Sequence, residues 1–132
     1  MIYFSVDGIK PVPQGSMKII NRSTGVMIHA RAADLAVYRA TVAQTAKKHI
    51  RTPFAGPIAL QAGFRLVKGK SVKRDLPTVA PDVDKLLRAV MDALTGVAYL
   101  DDAQVVQVTA SKQYGETPGV DIGIKELGVF DM

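Results

Sequence analysis

A chain of 132 residues with 48% hydrophobic and 22% charged side chains can bury one core of useful size but is short for two domains. It contains no cysteine, which excludes disulfides and thiolate metal sites and leaves carboxylates, carbonyls and two histidines as metal ligands. The formal charge of +5 suits a phosphate-bearing partner, although many ordinary enzymes are as basic.

The first residues, MIYFSVDG, alternate as a strand with Ile2, Phe4 and Val6 on one face. They lack the basic start and long apolar segment of a secretory signal, and nowhere is there a run of about 18 apolar residues. The expected location is therefore the cytoplasm, with no membrane contact. The segment GIKPVPQGSMKI is broken by prolines and glycines. MKIIN and GVMIHA, on either side of Arg22-Ser23-Thr24, suggest a short hairpin. A helix is predicted from an N-cap or first-turn Asp34 to His49, with Leu35, Tyr38, Val42 and Ala46 as its stripe. Residues 52–57 form a Pro/Gly loop, and Ile58 to Val67 alternate as a strand. Next comes KGKSVKRD, which places Lys68, Lys70, Lys73 and Arg74 within eight residues. A second helix follows Pro81 and stops at Gly96, a good C′ residue. Strands at 104–114 and 120–125 complete the chain. The order of elements indicates one α/β domain, or α+β, with a mixed sheet and two main helices packed on it.

Four of the twelve acids cluster at the ends of that second helix: Asp82 and Asp84 before it, Asp101 and Asp102 after it. On a helix, residues two apart point about 200° apart, but in an extended lead-in both carboxylates fall on one side. Leu86, Leu87, Val90, Met91 and Leu94 form the apolar stripe, and Lys85, Arg88 and Asp92 the polar face. A strand running back along the helix can bring Asp102 near the first pair. Converging carboxylates repel, and a divalent cation relieves that cost; Mg²⁺ takes a few carboxylates and keeps several waters. With a basic loop alongside, this is the set that metal-assisted phosphodiester hydrolysis needs. Simpler roles stand beside it: an aspartate caps helices, and a charged loop is ordinarily just solvated. His29 and His49 have no ligand spacing and suit surface or packing positions.

The segment PDVDKLLRAVMDALTG…YLDDAQVV resembles the signature of the RusA family of Holliday junction resolvases: P-D-x-D-N-x-x-K, then D-A-L-x-G, then D-D-x-x-V. The resemblance is close over residues 81–106 and loose elsewhere. It implies a single RusA-like resolvase domain over residues 1–132. It also implies a Mg²⁺-dependent endonuclease, with Mn²⁺ as an alternative, acting as a homodimer on branched DNA. Such enzymes are typically phage or prophage-borne and serve DNA recombination and repair by paired symmetric nicks in four-way junctions. By the resemblance, Asp82, Asp84 and Asp102 occupy the metal-ligand positions. Two departures stand out. Lys85 replaces the family's usual Asn, and Arg88 stands at the catalytic Lys position, so the cationic role falls to Arg88, to Lys85 or to both. Lys68, Lys70, Lys73 and Arg74 are the expected phosphate contacts. The rival reading is a non-catalytic DNA-binding module that keeps the fold.

Overall fold

The computed structural model describes residues 1–15 and 25–128, with 25–31 described by backbone alone. Among these, four strands and two helices follow one another: β1 (Ile2–Asp7), α1 (Gly25–Lys47), β2 (Ile58–Val67), α2 (Val83–Leu94), β3 (Val105–Gly115) and β4 (Gly119–Glu126). The strands form one mixed sheet in the order β1-β4-β2-β3. β4 pairs antiparallel with both β1 and β2, and β2 pairs parallel with β3, so α2 is the crossover that a parallel pair requires. This is an α+β fold.

The expected alternation holds. Val6, Val120 and Phe64 lie on one rung across three strands, and Phe4, Ile122 and Ala62 lie on the next. All six are buried and meet Tyr38, Val42 and Ala46 of α1 and Leu86, Val90 and Leu94 of α2 in one core. Each of those three α2 side chains is fully buried, worth about 1.5–3 kcal/mol apiece. Ala89 and Ala93 flank them, and Leu87 and Met91 sit at the margin of the stripe. Because α2 is anchored along its whole length, whatever its first turn presents has a rigid base.

Two expectations change. GVMIHA is not a hairpin strand: α1 already begins at Gly25, and Asp34 is an exposed residue inside the helix, not its cap. Alanines at 30, 32, 33 and 36 favour continuous helix more strongly than the two-residue alternation of Val26, Ile28 and Ala30 favours a strand. The MKIIN half of that expected hairpin lies outside the described residues. The strand predicted at 104–114 begins at Val105, and Asp102 opens a 3₁₀ turn, Asp102–Gln104, ahead of it. His49 packs, its ring stacked on Phe4 at 5.3 Å. No described helix is long and apolar enough to cross a membrane.

Candidate functional site

Asp82 is the N-cap residue of α2 with extended backbone (φ −72°, ψ 142°), yet its side chain makes no capping hydrogen bond. Capping therefore does not account for this carboxylate. Its Oδ2 instead lies 3.4 Å from Lys85 Nζ, with 59% of the side chain exposed. Asp84 sits exposed in the first turn, where the helix dipole favours negative charge. The switch from extended to helical backbone at this point puts both acids on one open cleft of about 610 Å³, between the 76–80 turn and Ala110–Lys112 of β3. Two solvated carboxylates uncommitted to capping suit a hard ion that takes one or two such ligands and keeps its remaining waters.

Asp102 is placed differently. β3 does run back along α2, but it is the far end of the strand that reaches Asp82 and Asp84; its beginning lies by the other end of the helix. There Tyr99 Oη donates to the Met91 carbonyl at 2.8 Å. Burial pushes that hydroxyl well above its ordinary range, and the charges of Asp102 and Asp92 push the same way. A helix of this length spans about 18 Å. Among the described residues no three acids or histidines stand close enough to hold a metal together. Asp101 has a structural job: its side chain accepts from Ala103 N, and Gln104 returns the bond to complete a capping box.

The Pro-rich segment after β1 runs alongside the polar face of α2 and bonds to it through Gln14. Gln14 N donates to the Lys85 carbonyl at 3.0 Å, and its side chain donates to Asp92. Gly15 has φ +103°, and a Cβ there would sit 3.1 Å from Arg88 Nη1, so the tight turn and the guanidinium share that space. Asp92 is thus engaged by Gln14, and Arg88 has no ion pair among the described residues.

The basic loop from 68 to 75 is exposed and partly organised by Tyr114 of β3. Lys68 Nζ lies 5.6 Å from the ring centroid, and Arg74 Nη1 donates to the phenol at 2.9 Å. Lys70 and Lys73 are exposed beside them. Two residues before Tyr114, Lys112 Nζ donates to the carbonyls of Val79 at 2.8 Å and Pro81 at 2.9 Å. Neither Tyr114 nor Lys112 was singled out by motif or charge run. Their only signal was two-residue alternation along β3, which puts both on the helix-facing side.

The sequence profile of the family described as endodeoxyribonuclease RusA matches residues 8–125. The chain belongs to the RusA family. The match takes in both helices, β2, β3, the basic loop and all four clustered acids. A protein of Bacillus subtilis (strain 168) described as uncharacterized protein YqaN is 34% identical over 140 residues, covering 96% of each chain. Membership of the RusA family implies endodeoxyribonuclease activity, the hydrolysis of phosphodiester bonds in DNA.

Proposed function

We propose that this RusA-family chain is a Mg²⁺-dependent endonuclease that resolves four-way DNA junctions by paired symmetric nicks, in recombination and repair. The observation that carries the reading is the pair of uncapped carboxylates, Asp82 and Asp84, on one open cleft at the foot of a basic loop. Asp82 and Asp84 would hold Mg²⁺ there, and the ion would supply Lewis-acid activation of a phosphate and of a water nucleophile. Lys85 in the first turn of α2 and Arg88 one turn further on stabilise charge developing on the phosphate, and the basic loop carries a DNA arm.

Asp102 joins this site through a second copy. β3 is an edge strand of 11 residues, with Val106 55% and Val108 41% exposed, and such an edge is a template for another strand. A two-fold axis crossing β3 at Val108 pairs it antiparallel with its symmetry mate and sets Gln104 of one copy opposite Lys112 of the other. That carries Asp102 of the second copy toward the cleft of Asp82 and Asp84, twice per dimer, matching the approximate two-fold symmetry of a four-way junction.

The test is a synthetic four-way junction incubated with and without Mg²⁺. Symmetric paired nicks only with metal are expected. Binding without cleavage in Mg²⁺ or Mn²⁺ would show a DNA-binding module instead, and equal cutting of linear duplex would remove the junction selectivity.

Two further results are expected. Neutralising Lys70 and Lys73 together lowers the log-log salt slope of junction binding by about 1 to 2, near 0.9 per phosphate contact. An unchanged slope places the DNA elsewhere, with Lys47, Lys48 and Arg51 the next candidates. Arg88→Ala slows cleavage by about 100-fold, the scale of losing one transition-state donor, with little change in melting temperature because Arg88 makes no ion pair among the described residues. Arg88→Lys keeps part of the rate, and Lys85→Ala is milder. A fully active Arg88→Ala beside a dead Lys85→Ala would move the catalytic cation one turn back.

A further inference from the structure

We infer that Lys112 is a positioning residue of the metal site, fixing the turn that delivers Asp82. The inference rests on the reading of Asp82 and Asp84 as metal ligands. An N-cap aspartate normally fixes its own carboxylate by bonding the helix amides, but Asp82 makes no such bond. Its place is therefore set by the backbone before it. That backbone is the 76–81 turn, with Leu76 61% and Val79 48% exposed, and among the described residues its backbone hydrogen bond outside regular structure is the local one from Thr78 N to the Leu76 carbonyl. Lys112 ties it down. From β3 its ammonium reaches the Val79 and Pro81 carbonyls, the second of which directly precedes Asp82. Two of its three N–H groups are used by the turn, so this cation is anchored to the sheet at one end and to the lead-in of α2 at the other.

Charge and position make opposite predictions here. As a bare positive charge beside the cleft, Lys112 opposes a divalent cation, and its removal tightens metal binding. As a tether, its removal frees Asp82 from its register with Asp84 and weakens binding. The experiment is calorimetric titration of the full chain with Mn²⁺ in the absence of DNA, alongside thermal unfolding. Lys112→Met is expected to bind Mn²⁺ about tenfold more weakly, the lower end of what losing an orienting partner of a metal ligand costs. Its melting temperature should stay near that of the wild type, and Lys112→Arg, which can still donate to two carbonyls, should keep most of the affinity. Unchanged or tighter Mn²⁺ binding by a folded Lys112→Met overturns the inference and leaves the metal reading intact. Wild-type protein that binds no Mn²⁺, or an Asp82→Asn variant that binds it as well as the wild type, overturns the metal reading and this inference with it.

Discussion

Asp82→Asn and Asp84→Asn are each expected to abolish junction cleavage, by a thousandfold or so, while junction binding is kept or tightened. The substitution preserves size and removes one negative charge. Neither carboxylate is buried, and Asp82 caps nothing, so the fold has little to lose. Among the described residues, the interaction given up at Asp82 is its pairing with Lys85 at 3.4 Å, an exposed contact worth about a few tenths of a kcal/mol. The chemistry has far more to lose. Loss of a single transition-state donor already costs about 100- to 1,000-fold, and under the proposed function each substitution also removes a ligand of the metal that would activate the nucleophile. Binding moves the other way because a negative group facing phosphate has been neutralised. Gel-shift affinity, nicking rate and melting temperature together separate the two effects. Full Mg²⁺-dependent cleavage by both variants would refute the assignment.

The second large effect is a rescue. Asp82→Asn and Asp102→Asn homodimers are each expected to be inactive, and a heterodimer of one chain of each, purified with two tags, is expected to nick. If Asp102 serves the other copy, one site of that heterodimer combines Asp82 and Asp102 from chains in which each is intact. The other site carries both substitutions. Activity returns as single nicks, at about half the wild-type rate because one site of two survives. If each chain supplied all three acids to its own site, both sites of the heterodimer would be damaged and no activity would return. That outcome would also leave the position of Asp102, at the far end of α2 from Asp82 and Asp84, without a catalytic explanation.

Local periodicity made most of the fold readable. Alternation at Ile58, Leu60, Ala62, Phe64 and Leu66 marks a strand buried on one face, and Leu86, Val90 and Leu94 mark a helix that stops where Gly96 takes up φ +85°. The start of α1 escapes a sequence reading because Val26, Ile28 and Ala30 satisfy a two-residue alternation as well as a helix does, and its first turn carries no acidic residue to mark it. The two ends of the acidic cluster were found by residue type, but their separation was not, because it depends on strand direction. A strand that returns beside a helix brings its last residues, here Ser111 and Lys112, to the helix start. Lys112 and Tyr114 escaped for a related reason. A lone lysine or tyrosine in a strand carries no pattern, and its meaning comes from the turn or loop that packs on it.

The position of β4 has a consequence for how the chain is made. It is the last of the four described strands to be synthesised, yet it is an inner strand, with β1 on one side and β2 on the other. Ile2 finds its partner only at Ile124, and Leu60 shares that same partner from the opposite side. On the ribosome, β1 can therefore wait unpaired until β4 has been made, while β2, α2 and β3 are free to form their crossover first. Closure then comes in one late event, in which β4 slides between two waiting edges and covers both. A ribosome stalled before Gly119 would hold a chain with its nuclease segment already synthesised and its core still open, a form that chaperones and proteases would recognise by the apolar faces of Phe4, Val6 and Phe64.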